Sequence, residues 1–245
     1  MSEDRHSDTD ARPSQAMSHP DAGLCGLETI LPRGVAVVSM TSETPGDPLF
    51  AEEAAIIAAA VPVRRREFAV ARSCARRALA KLGLPPVPIL QGTSREPLWP
   101  EGIIGSITHS HGFCAAAVAR RREMVTLGID AEANEALPPD VLQLIAQEEE
   151  RAVLTTHSGT GVAWDRLLFS AKESIFKAWF PVAGTWLGFE DATVSFDMQN
   201  QQFSVRLRVA PAPVIGGRSL TRLDGRFLVH EGLILTAVAL PVRAL

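Results

Sequence analysis

"GVAWDRLLFSAKESIFKAWF", residues 161–180, is the stretch on which the reading of this chain turns. Its apolar residues recur at helical spacing, so a long helix is expected, ended by Pro181. Lys172, Glu173 and Lys177 lie within it, and Glu173 and Lys177, four apart, share one face. Phe169, Ile175, Phe176 and Trp179 leave little of this helix for water. Charge held in such a place needs a partner, such as a metal or a phosphate. The plainer alternative is an i,i+4 surface ion pair, worth a few tenths of a kcal/mol.

The nearest source of such a partner is "VTLGIDAE" (125–132), which reads as a strand. Asp130 and Glu132 are two apart, so on a strand they point to the same face, about 7 Å from each other. Two carboxylates so placed repel, and a divalent cation would relieve them. Magnesium takes carboxylate oxygens together with water and phosphate, and seldom sits in an all-protein cage. An exposed strand end is the bland alternative. Glu173 is the candidate third carboxylate.

The elements around these two stretches alternate between helical and strand patterns. A helix is expected over 47–60, broken by Pro62, and then a strongly amphipathic helix over 63–83, with Gly83 at its C-cap. Residues 84–102 are rich in Pro and Gly and read as a connection. "IIGSITHS" (103–110) and "FCAAAVAR" (113–120) read as a hairpin turning at His111-Gly112. A helix is expected over 138–154, and strands within 192–209 and 226–240. Strands and helices recur roughly once per half. This predicts an α+β fold of two lobes, residues 23–124 and 125–245, behind a polar tail, residues 1–22, read as disordered.

Charge is segregated. Residues 61–83 hold seven basic side chains and one acid, whereas residues 130–150 hold seven acids and no base. The pattern suits either two solvated helix faces or a site for an anion plus a cation. The net charge of −4 and the absence of tyrosine argue against nucleic-acid binding. No apolar run reaches the length of a membrane span. Cys25, Cys74 and Cys114 are far apart, without a CxxC pair, as suits a reducing cytoplasm. The sequence lacks the usual phosphate-loop, dinucleotide-binding, serine-elbow and HExxH zinc motifs. His109, at the end of an apolar strand beside Thr108 and Ser110, is either a hydrogen-bonded structural residue or a phosphate donor.

"LGIDAE" followed about forty residues later by "FSAKESIFKAW" resembles the paired signature of the 4′-phosphopantetheinyl transferases, of the larger surfactin- and enterobactin-synthetase type. The resemblance extends to "RRREFAVARSCARRAL", "PILQGTSREPLWP" and "GSITHSHGF", from about residue 60 to 180. It implies a pseudo-twofold pair of similar α+β lobes with the active site between them. It implies transfer of the phosphopantetheine arm of coenzyme A to a serine of an acyl or peptidyl carrier protein, releasing 3′,5′-ADP. Asp130, Glu132 and Glu173 would then bind Mg2+ with the coenzyme A pyrophosphate. Lys172 and Lys177 would face the pyrophosphate or leaving group. Arg72, with Arg64 or Arg66, would hold the 3′-phosphate, and Thr108 and His109 the nucleotide phosphates. The loop "GTSREP" has Glu96 where the family often has lysine, which leaves Arg95 as the coenzyme A contact. Ala131 lies between the two strand acids and offers no ligand.

A serine hydroxyl needs a base at neutral pH, and Glu173 is the expected one, with Glu132 or water as the alternative. The resemblance also implies a monomer. The expected carrier is a small acidic helical domain, steered by the basic residues of 63–83 and Arg120 to Arg122 or docked on apolar residues near 133–155. Two other readings fit the carboxylates: a different magnesium-dependent phosphohydrolase, and a non-catalytic module that binds coenzyme A or a nucleotide.

Overall fold

The computed structural model describes residues 26–110, 112–156 and 160–244. The expectations for the tail, for Cys25 and for His111 lie outside the described residues. The described residues open with a short helix, α1 (Leu27–Ile30), and a strand, β1 (Ala36–Thr41). Helices α2 (Ala51–Ile56) and α3 (Pro62–Lys81) follow. Two-residue strands β2 (Leu90–Gln91) and β3 (Pro97–Leu98) close a loop before the hairpin of β4 (Ile103–Ser110) and β5 (Phe113–Arg120). The second half runs β6 (Met124–Ala133), α4 (Pro139–Ile145), α5 (Glu148–Thr156) and α6 (Trp164–Ala183). It then adds β7 (Ala192–Asp197), β8 (Gln202–Leu207), β9 (Val214–Ile215), β10 (Arg218–Ser219), β11 (Arg222–His230) and β12 (Leu233–Pro241).

The two halves repeat one topology. In the first, β1 pairs antiparallel with β5, the last strand of the half, giving the order β1-β5-β4. In the second, β6 pairs antiparallel with β12, giving β6-β12-β11, and β8 and β7 extend the sheet to five strands. A 20-residue helix covers each sheet, α3 on the first and α6 on the second. The result is a mixed α+β architecture of four layers, helix, sheet, sheet, helix.

Strand alternation accounts for the layers. On β5, Cys114, Ala116 and Val118 pack toward α3, with Cys74, Ala75, Ala78 and Leu79. The intervening Ala115, Ala117 and Ala119 face the second sheet, where they meet Leu127, Ile129 and Ala131 of β6. The other face of β6, with Thr126, Gly128, Asp130 and Glu132, is left for α6. Alanines on β5 let the sheets approach closely. Leu27 and Ile30 of α1 complete this middle layer.

Several expected elements differ from those observed, each for a local reason. The helix expected over 47–60 spans only 51–56, and residues 57–60 form a turn whose Ala58 and Ala60 carbonyls are taken by Arg65. Pro62 opens α3 as its first residue, where a missing N–H costs nothing. The helix expected over 138–154 is two helices. The buried Glu150 accepts the Gln147 N–H and so starts a fresh helix at α5. Pro181 does not end α6, which continues to Ala183 and closes on Gly184 at φ 64°. The strand β1 had no counterpart in the sequence reading. No described helix is long and apolar enough to cross a membrane.

Candidate active site

Helix α6 runs across β6 and meets it through one polar stripe: Arg166, Ser170, Glu173 and Lys177. Their spacing, i, i+4, i+7, i+11, is one face of an α-helix. Close approach depends on Gly128. A Cβ there would fall 2.6 Å from Ala178 N and closer still to Ser174 O, so any larger residue would push the helix off the strand. Thr126 adds a hydrogen bond to the Ala178 carbonyl.

Asp130 lies at the centre. Lys177 Nζ approaches its Oδ1 at 2.7 Å, Thr108 Oγ1 donates to Oδ1 at 3.1 Å, and Ser170 Oγ donates to Oδ2 at 2.9 Å. Ser170 is tied in turn to Thr236 of β12, the strand partner of Asp130. Glu132 is held by Arg166, Nη1 to Oε2 at 3.2 Å. Glu173 is half-buried on the cleft wall. Desolvation raises its pKa, Lys177 opposes that rise, and Asp130 and Glu132 add to it. The three carboxylates therefore feel one another across the β6–α6 seam. Among the described residues they form no ready-made metal cage. Lys177 and Arg166 hold two of them.

The seam between the two sheets is also unusual. Ser106 Oγ accepts from Ile129 N at 3.1 Å and Thr108 Oγ1 from Ala131 N at 3.2 Å. Alternate hydroxyls of β4 thus satisfy the free edge of β6, in place of a strand ladder. This is where the structure puts Thr108. Its hydroxyl is committed to the β6 edge and to Asp130, so it positions a carboxylate, and the expectation of a phosphate contact is corrected.

A cleft of about 760 Å3 opens beside this seam. Its walls come from α3, β4, the 91–102 loop and α6. Arg64, Arg72, Arg95 and His109 of the expected residues line it, with Glu173 and Lys177. Arg72 is buried, stacks 4.1 Å above Phe68 and donates to the Ile89 carbonyl. Burial lowers its pKa to about 10, which leaves it charged at neutrality. His109 bonds Arg64 through Nε2. Its ring edge is reachable by solvent, yet protein fills most of the volume around it. Desolvation first, then the Arg64 and Lys177 charges, lower its pKa, and the imidazole is neutral at pH 7. Arg95 stands on the loop at φ 66°. Trp99 covers Gly105 and donates to its carbonyl at 3.0 Å. A second, smaller cavity of about 200 Å3 shares Glu173 and Phe176 with the cleft and is walled also by Trp186 and Phe189. Phe176 and Trp186 pack with ring centroids 4.6 Å apart.

Two of the expected basic residues lie outside the wall of the large cleft. Arg66 is exposed and outside the cleft wall. Lys172 is buried, and its ammonium donates to Ile145 O at 2.7 Å, Glu150 Oε2 at 2.8 Å and Phe189 O at 2.8 Å. All three N–H bonds are spent, so Lys172 holds α4, α5 and the loop before β7 against α6, and its side chain forms part of the wall of the smaller cavity. The helix itself carried the signal. At about 100° per residue, Lys172 and Lys177 diverge by about 140°, whereas Glu173 and Lys177 differ by about 40°. Arg166, Ser170, Gly128 and Ser106 were missed by the sequence reading. The stripe through Glu173 and Lys177, continued one and two turns toward the N-terminus, would have found the first two.

Two family models match the chain: the 4′-phosphopantetheinyl transferase N-terminal domain over residues 52–119, and the 4′-phosphopantetheinyl transferase superfamily over residues 126–216. The 4′-phosphopantetheinyl transferase Svp of Streptomyces mobaraensis is 47% identical over 223 residues, 89% of this chain and 90% of that protein. The 4′-phosphopantetheinyl transferase PptT of Mycobacterium tuberculosis is 42% identical over 87% of this chain and 97% of its own. Enterobactin synthase component D of Salmonella typhi is more distant, 31% identical over 64% of this chain and 65% of its own.

Proposed function

Since the chain belongs to the 4′-phosphopantetheinyl transferase family, an enzyme family that modifies carrier proteins with coenzyme A as substrate, we propose how its own residues perform the transfer. The observation that carries the reading is the place of Glu173. It stands where a large basic cleft and a small apolar cavity meet, beside Asp130 and Lys177. Coenzyme A has a matching division: a phosphorylated nucleotide, a diphosphate, and a largely neutral arm. The nucleotide lies in the cleft, where Arg72 and Arg64 meet its 3′-phosphate, with His109 and Arg95 nearby. The arm lies along Phe176 and Trp186, and the diphosphate spans the junction at Glu173.

Asp130, Glu132 and Glu173 would hold Mg2+ with the diphosphate. The donor set suits an ion that keeps water and brings phosphate oxygens, since the carboxylates gather on one side only. Bound there, such an ion would supply neutralisation of the diphosphate charge. The protein's remaining tasks are positioning and charge compensation. Lys177 meets the charge that develops on departing 3′,5′-ADP. Glu173 takes the proton from the carrier serine hydroxyl as its oxygen bonds to the phosphorus of the arm. The bond from that phosphorus to the bridging oxygen breaks, and the electron pair leaves with the nucleotide. Thr108 and Ser170 keep Asp130 in one orientation throughout.

The enzyme acts as a monomer in the cytoplasm, with residues 23–124 and 125–245 as two lobes of one catalytic unit. Exposed Arg121 and Arg122 near the cleft steer an acidic carrier. A non-catalytic binding module is not favoured, because the relatives above are transferases by name. Intact-mass spectrometry of an apo carrier protein, after incubation with enzyme, coenzyme A and magnesium, tests the reading. A gain of one phosphopantetheine arm that vanishes with chelator is expected. An unmodified carrier, across several carrier types, would sink it.

A further inference from the structure

Asp130 and Glu132 are each compensated by a cation from α6, Lys177 at one end of the stripe and Arg166 at the other. Arg166 does more than pair with Glu132. Its Nε donates to the Glu135 carbonyl at 3.1 Å and its Nη2 to the Ala136 carbonyl at 3.5 Å. Both carbonyls belong to the chain leaving β6. The same segment is tied to the start of α6 by Asn134, which bonds Ala163 N and Gly161 O, and by Asp165, which accepts from Leu137 N. The guanidinium is therefore fixed by backbone contacts, and it stays beside Glu132 without depending on the carboxylate. The Arg166 and Glu132 side chains are each only 16% exposed, so water screens their attraction weakly.

We propose that Arg166 is the charge-positioning residue of the carboxylate site: it neutralises and orients Glu132 before substrate arrives, so the free enzyme binds a divalent cation weakly and the ion enters with the diphosphate. This rests on the metal reading above. The charge count supports it. Asp130, Glu132 and Glu173 bring three negative charges to the stripe, and Arg166 and Lys177 bring two positive ones. A net single negative charge is a poor trap for a free dication. Without Arg166 the same carboxylates carry two net negative charges where water screens them weakly. Arginine suits this task because its fork bonds the carboxylate and two carbonyls at once and remains charged at every working pH.

The test is Mn2+ binding, followed by electron paramagnetic resonance of the full-length protein without coenzyme A. Arg166→Met should bind Mn2+ about tenfold more tightly than wild type, the scale of one neighbouring charge. Arg166→Lys should stay near wild type. A structural role alone would not raise affinity, since a loosened site binds less. If R166M fails to fold by circular dichroism, R166Q carries the same expectation. Asp130→Asn separates the two layers of the argument. If D130N abolishes Mn2+ binding while folded R166M or R166Q binds no more tightly than wild type, the role of Arg166 is overturned and the metal reading stands. If D130N binds Mn2+ as wild type does, with or without coenzyme A, the metal reading fails and the role of Arg166 with it.

Discussion

The two 20-residue helices do the same structural work and opposite electrostatic work. Each covers one sheet and each buries an ion pair out of water. On α3 it is Arg76 with Glu53 at 2.8 Å, and on α6 it is Lys172 with Glu150, also at 2.8 Å. In both, the acid also receives backbone N–H groups: Ile89 and Phe50 for Glu53, Val194 and Gln147 for Glu150. These closed pairs fix loops and helix starts. Toward the cleft the helices diverge. Helix α3 presents Arg64 and Arg72, a place for an anion. Helix α6, with β6, presents carboxylates compensated by half-open cations, a place where charge can be exchanged. Burial alone does not separate scaffold charge from working charge, since Arg72 and Asp130 are as buried as Arg76 and Glu150.

The sharpest break of this comparison is Glu173→Gln. It keeps shape and removes the base, so transfer to an apo carrier should fall by about 10²–10⁴-fold. Unfolding by urea should change little. A variant that turns over at the wild-type rate would remove Glu173 from the chemistry. On the scaffold side, Lys172→Met leaves Glu150 buried without its cation. A loss of about 3–5 kcal/mol of stability is expected by urea titration. Loss of turnover in a fully stable K172M protein would instead return Lys172 to the ligand.

Gly128→Ala comes next. The added methyl collides with the α6 backbone, and about 1–3 kcal/mol should be lost. Transfer activity should fall as well, because Lys177 and Glu173 move away from Asp130. A wild-type melting temperature would show that the helix has room to spare.

The smallest effect concerns pH. The folded-state pKa of His109 lies below the unfolded value, so the unfolded chain binds the proton more readily. The stability His109 contributes is complete above about pH 6.5 and is lost as pH falls through the folded pKa. His109→Gln should flatten that slope in melts between pH 5 and 7, a range set by those values. An unchanged slope would place the titration elsewhere.

Much of this site was legible in one dimension because its geometry is local. Asp130 and Glu132 share a strand face by period two, and Glu173 and Lys177 share a helix face by period 3.6. The order of elements, the amphipathic α3 and the hairpin of β4 and β5 follow from the same short-range rules. The boundaries were less legible, because Glu150 breaks a helix only by virtue of what surrounds it, Pro62 sits at the first position of α3, where proline is tolerated, and α6 runs past Pro181 to Ala183.

What the sequence by itself determined, then, is which charged groups share a face, since that depends on backbone period alone. What only the tertiary structure decided is which of them are spent. Lys172 and Lys177 stand in one motif, yet Lys172 is claimed by Glu150, 22 residues away, and Lys177 by Asp130, 47 residues away. Thr108, read as a phosphate donor, is claimed by the unpaired edge of β6. Such assignments depend on which partners folding brings within about 3 Å, the reach of a hydrogen bond, and on whether water is excluded there. Neither quantity is written in the spacing of the chain.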